Sequence, residues 1–145
     1  MNIFVCLRII LGIFFVISGS QKLIEPYQNF LYVVQSYELL STPFEELVAR
    51  TIPWIEFLLG VFLILGLWLR NVLAAFMVLT STFMFVVGQA LVRHLPITEC
   101  GCFGDLISFP LPVVLTLDSS LLCLFAVLLK RLNKVSSFSL DNYFR

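Results

Sequence analysis

Charge is what this chain has least of. Asp, Glu, Lys and Arg together make up 12% of its 145 residues, nine basic and nine acidic, where an ordinary soluble domain carries about 25%. A soluble fold of this length needs a charged surface, so water is excluded as the only solvent. The formal net charge is zero and no Lys/Arg patch is present, which leaves nucleic acid no electrostatic footprint. Internal repeats and low-complexity stretches are also lacking. The first apolar run is too long for the core of a signal peptide, and no small-x-small cleavage site follows it, so it is expected to stay as a membrane span. The length allows one domain.

Apolar residues are abundant, at 60%, and lie in long uncharged blocks. A spanning helix needs about 20 mainly apolar residues, and four segments qualify: 3–23, 52–69, 72–92 and 112–129. The expected fold is all-α, an integral membrane bundle of four transmembrane helices over residues 1–135 with a polar tail over 136–145. Only Arg70-Asn71 separates spans two and three, which predicts a tight helical hairpin. In the first gap Phe30, Leu31, Val33, Val34 and Tyr37 alternate with Gln28, Asn29, Gln35 and Glu38; this predicts an extra helix lying in the membrane interface over 27–40. Next, Thr42 suits a cap, Pro43 the first helical position and Glu45 a capping box. A short helix should start there and run towards span two, with a kink or break near Pro53.

Orientation follows from Lys and Arg near the span ends. Arg70, between spans two and three, lies on the same side as Lys130, Arg131 and Lys134 after span four. That side should be cytoplasmic, with both termini inside. The segment from Arg93 to Leu111 is then outside, although Lys22, Arg50 and Arg93 also lie on that side.

Four cysteines are present. Cys6 and Cys123 fall within spans, where a small polarizable side chain reads as packing. Cys100 and Cys102 lie in the outer segment, one Gly apart. Side chains at i and i+2 of a helix do not meet, so a bond between them needs a tight turn, which Gly101 permits. So small a ring removes little chain entropy, and its strain favours a labile, reactive disulfide over a structural staple. Two other readings stay open. His94, Cys100, Cys102 and Asp105 could hold a metal, although a lone Cys-x-Cys lacks the spacing of a structural zinc site. Alternatively the pair is structural, or one cysteine is bonded to another protein.

Ionisable groups inside a span are costly and are functional suspects. Lys22 closes the outer end of span one and Glu56 lies at similar depth in span two, so the two are expected to pair. Asp118 lies about two turns into span four, near Thr116 and Ser119. Lys22, Arg93 and His94, the single histidine, are the groups that could stabilise a thiolate, with Asp118 or Glu56 taking its proton. Gly12, Ser18-Gly19, Gly60 and Gly66 read as sites of close helix packing. The fifteen Phe residues offer rings for a quinone pocket, though no recognisable quinone motif is present.

Several of these segments together resemble a known family. Arg8-Ile9-Ile10-Leu11-Gly12, Ser18-Gly19-Ser20-Gln21-Lys22-Leu23, Pro53-x-x-Glu56-x-x-x-Gly60 and Cys100-Gly101-Cys102-Phe103-Gly104 resemble the DoxX-like membrane proteins, in particular the MauE branch, over about residues 1–131. The resemblance implies a four-span bundle in the bacterial inner membrane and a role in periplasmic thiol redox chemistry beside a thioredoxin-like partner. It makes Cys100 and Cys102 the redox pair, with Arg8, Lys22, Glu56, Gly101, Phe103 and Gly104 as motif positions. No Cys-x-x-Cys is present, so a soluble redox domain has to come from another chain. The function expected is that of a membrane thiol–disulfide oxidoreductase, with quinone as the one candidate cofactor. The alternative is a non-enzymatic assembly factor or scaffold with a structural disulfide.

Overall fold

The computed structural model describes residues 3–97 and 109–135. Four of its helices are long and apolar enough to cross a membrane: α1 (Ile3–Ile24), α3 (Thr42–Leu65), α4 (Leu69–Val92) and α5 (Leu111–Lys130). Two shorter helices, α2 (Tyr27–Ser36) and α6 (Leu132–Val135), follow α1 and α5. No strand occurs among the described residues. Large apolar side chains such as Ile10, Ile17, Val78, Phe85 and Val92 point outward from these helices. In water so wide an apolar surface would drive association; in lipid it is the ordinary outer face of a bundle. The chain is an all-α, multi-pass membrane protein.

α1 packs along α3, and α4 along α5. The first pairing depends on missing side chains. A Cβ added at Gly19 would sit 2.7 Å from the backbone nitrogen of Phe57, and one at Gly60 would sit 2.9 Å from the backbone nitrogen of Val16. Gly12 faces Ile64 and the Gly60 carbonyl in the same way. Hydrophobic collapse does not drive helix pairing inside lipid, so close backbone approach and van der Waals packing take its place. Gly66, expected among these packing glycines, acts instead through its backbone. With φ 72° it ends α3 in a left-handed cap, where the Gly66 and Leu67 N–H groups both donate to the Phe62 carbonyl.

That cap moves the hairpin. The turn between α3 and α4 falls at 66–68, and Arg70-Asn71 lie in the first turn of α4. Side-chain polarity marked the wrong place, because the glycine ends the helix while the hydropathy stays high. The start of α3 differs too. Its cap is Ser41, one residue before the expected Thr42, and α3 continues through Pro53 as one helix in place of a short helix and a break. Both Pro53 and Ala49, four residues before it, are buried. Proline is tolerated in spanning helices where packed neighbours hold the turn. The helix α2 starts where expected but ends at Ser36, short of the expected residue 40, and the side chains it buries or half-buries include Phe30, Leu31, Val33 and Val34, with Tyr37 just beyond its end.

The core of the bundle is aromatic at mid-height. Phe15, Phe76 and Phe125 meet across α1, α4 and α5, with centroids 4.4 Å apart for Phe15–Phe76 and 5.0 Å for Phe76–Phe125. At the end that carries the α3–α4 turn, Arg8 is 2% exposed. Its guanidinium donates to the Val135 carbonyl at 2.9 Å and the Ile64 carbonyl at 3.4 Å. A cation among terminal helix carbonyls satisfies their lone pairs and opposes the helix dipole. Arg8 therefore clamps α1 to the ends of α3 and α6.

Candidate functional site

The aromatic stack sets the register for what lies above it. Seven residues on from Phe15 and Phe76, and seven back from Phe125 on the antiparallel α5, stand Lys22, Phe83 and Asp118. Two helical turns amount to about 10 Å, so these three residues share one level, nearer the end where α4 joins α5. The Lys22 ammonium lies 5.9 Å from the Phe83 centroid and 5.3 Å from that of Phe30. Glu56 of α3 completes the level.

Lys22 Nζ donates to Glu56 Oε2 at 2.7 Å, with the two side chains 1% and 5% exposed. The expected ion pair is thus formed and almost wholly buried. Ser18 Oγ donates to the same Glu56 oxygen at 3.5 Å. The two charges cancel. Asp118 then adds an acidic group within electrostatic range of both, and its Oδ2 is buried without a hydrogen-bond partner. Thr116 and Ser119 beside it donate to carbonyls of their own helix, from Val113 and Leu115, and leave the carboxyl alone. A buried acceptor without a donor costs about 1–3 kcal/mol. Such a group invites a ligand that can donate to it.

Tyr37, just beyond α2, joins this group from the side. Its ring is buried against Val87, Ala90, Leu111 and Val114, and its hydroxyl has no hydrogen-bond partner. Burial first, and then the negative charge of Asp118, push its phenol up to about 12. The sequence pattern marked Tyr37 only as one apolar position of an interfacial helix. Nothing in its spacing hinted that the chain folds it back towards Asp118.

A cavity of about 490 Å³ opens beneath this level, between α1, α4 and α5. Lys22, Glu56 and Asp118 line its polar end, and Phe14, Phe15 and Leu121 line the part nearer mid-membrane. Phe109, at the start of the chain leading into α5, also lines it. Ile10, Phe14 and Leu117 belong both to the lining and to the outer surface, so the cavity opens sideways, towards lipid. Thr80, a polar residue of the lining, was likewise not singled out by the sequence pattern.

The other residues singled out from the sequence lie elsewhere. Arg93 pairs with Glu38 at 3.2 Å on the outer surface and ties the end of α4 to the turn after α2. His94 is exposed, with φ 51°, just past the end of α4. Arg8 is the clamp at the opposite end. Cys6 and Cys123 are free thiols within α1 and α5. Cys100, Gly101, Cys102, Phe103 and Gly104 lie outside the described residues, as does Asp105 of the metal alternative.

No curated protein and no solved structure matches the chain. One protein family does: Methylamine utilisation protein MauE, over residues 1–131. That match covers nearly all of the bundle, from the Arg8 clamp to the end of α5, and the chain belongs to the MauE family of membrane proteins.

Proposed function

We propose that this protein is a membrane thiol–disulfide oxidoreductase of the bacterial inner membrane, with Cys100 and Cys102 as its redox pair. The observation that carries this reading is what the described residues flanking the cysteine segment pack against. Ile97 before it and Phe109 after it both pack against the same buried cluster as Tyr37, and Phe109 lines the cavity. The described ends of that segment thus lie against the Tyr37 cluster, and one of them lines the cavity that Lys22 and Asp118 also line.

In the proposed reaction a thiolate of a partner attacks one sulfur of the Cys100–Cys102 disulfide. A mixed disulfide forms and the second cysteine leaves as a thiolate. The partner's second thiol then displaces the first cysteine, so the partner is oxidised by two electrons and the Cys100/Cys102 pair is left as a dithiol. A periplasmic thioredoxin-like protein suits the partner role, since the chain has no Cys-x-x-Cys of its own. For orientation, Arg70, Lys130, Arg131 and Lys134 all sit at the end of the bundle away from the cysteine segment, where α4 begins and α5 ends. By the positive-inside bias that end and both termini are cytoplasmic, and the cysteines face the periplasm.

The test is to equilibrate the purified protein at defined redox potentials, alkylate it and count labelled cysteines by intact mass. Cys100 and Cys102 should titrate together as a reversible two-electron couple, well above the roughly −300 mV below which structural disulfides lie. A pair that stays oxidised in strong reductant, or never forms a bond, refutes the catalytic reading and leaves a scaffold.

A further inference from the structure

The lateral cavity has an axis, a polar end and an open side, and these together define what fits it. On α1 its lining runs from Ile10 to Lys22, about 18 Å at 1.5 Å per residue. Its charged groups are confined to the upper level, while Ile10, Phe14 and Leu121 line the lower part. Its opening between Phe14 and Leu117 faces the hydrocarbon of the bilayer. About 490 Å³ falls in the range of small-molecule sites, about 300–1,000 Å³. The ligand must therefore arrive from lipid, with a compact polar head and an apolar tail.

The charges narrow the head. Two carboxylic side chains and one ammonium line the polar end, and the ammonium is already paired. A phosphate or carboxylate head would meet Glu56 and Asp118 with little cation left to balance it. A neutral head that donates one hydrogen bond, to Asp118 Oδ2, and accepts one, from Lys22 or Thr80, satisfies the groups present. Phe15, Phe83 and Phe109 along the walls favour a flat ring.

We propose that this cavity is a binding site for a lipid-soluble quinone, held most tightly as its quinol, whose hydroxyl donates to Asp118 Oδ2, with its ring at the level of Lys22, Phe83 and Asp118 and its tail leaving between α1 and α5. The link to the cysteines rests on the function proposed above. Two electrons and two protons from the Cys100/Cys102 dithiol would convert the quinone to a quinol, whose hydroxyl groups take the protons, and the sulfurs would be left as a disulfide. The site itself is independent of that link.

Binding is therefore measured in a Cys100→Ser/Cys102→Ser chain in nanodiscs, with a photoreactive quinone carrying a short alkyl tail, held reduced as the quinol, and peptide mapping of the label. The label should concentrate on the faces of α1 and α5 that carry Phe14 and Leu117. Asp118→Leu and Leu121→Trp should each weaken binding at least ten-fold while helical content is unchanged. Leu121→Trp fills the cavity without touching a charge, so the two variants fail for different reasons. Ile13→Trp, on the exposed surface of α1 and outside the lining, should bind as the parent does. Label spread evenly over lipid-facing positions overturns the site, as does undiminished binding by both variants. Displacement of the quinone by a long-chain fatty acid at equal concentration would also overturn it in favour of an anionic lipid site. If the quinone binds as expected but the intact dithiol protein does not reduce it, the oxidoreductase reading fails and the site stands.

Discussion

Replacing Glu56 with Gln keeps the shape of the side chain and removes one charge of a pair that the bundle buries almost completely. At 2.7 Å and with 1% and 5% exposure, neither partner has water to fall back on. Lys22 would remain charged in an apolar setting, or give up its proton at a cost. Its contacts with the rings of Phe30 and Phe83 exist with or without Glu56, so they offset none of the loss. Breaking a buried pair costs about 3–5 kcal/mol, whereas replacing both partners with apolar residues is often neutral. Glu56→Gln and Lys22→Met should each lose about 3–5 kcal/mol. The double variant Lys22→Met/Glu56→Leu should fall within about 1 kcal/mol of the parent. Asp118, the other acidic group in electrostatic range of Lys22, moves the Glu56→Gln value towards the lower bound. The assay is reversible unfolding in mixed micelles, followed by circular dichroism, for the parent, both single variants, Glu56→Leu and the double variant, so that the cycle closes. The reasoning is wrong if Glu56→Gln costs less than about 1 kcal/mol, or if the two single losses simply add in the double variant.

Three further outcomes follow from the packing and the protonation chemistry. Gly19→Ala should destabilise the bundle by about 1–3 kcal/mol through overpacking, because the new Cβ meets backbone 2.7 Å away. Gly88→Ala, with nothing within 4 Å, should be neutral or stabilising by about 0.5–1 kcal/mol; equal effects in the same unfolding assay would refute the close α1–α3 contact. Arg8→Met removes the charge-assisted bonds to the Val135 and Ile64 carbonyls, each worth about 1.5–3 kcal/mol. Amide exchange should then rise in α6 first, and unchanged protection of 132–135 would show that Arg8 is no clamp. Tyr37, pushed up to about 12, holds its proton in the folded state after an unfolded tyrosine has lost it near pH 10. Its contribution to stability is complete below about pH 10 and is lost as pH rises towards 12. Tyrosinate absorbance should show one late step among the four tyrosines, absent in Tyr37→Phe; a single step near pH 10 would contradict the burial.

How much of this was written in the chain itself depends on the range of the interaction. Four spans, the extra helix after the first and the all-α class follow from hydropathy and period, which are local properties solved residue by residue against lipid. The Lys22–Glu56 pair was also readable, because two opposite charges at one depth inside a membrane have few other places to go. Helix ends were read less well. Gly66, not the polar Arg70-Asn71, ends α3, and Pro53 lies inside a continuous helix, since a cap is a backbone conformation and a tolerated proline depends on its neighbours. The approach of Tyr37 to Asp118, the vacant Asp118 oxygen, the Arg8 clamp on Val135 and the lateral cavity were decided only by the tertiary structure. Each joins residues tens of positions apart through the mutual register of helices, and that register is set by glycine contacts and ring stacking that no single segment contains.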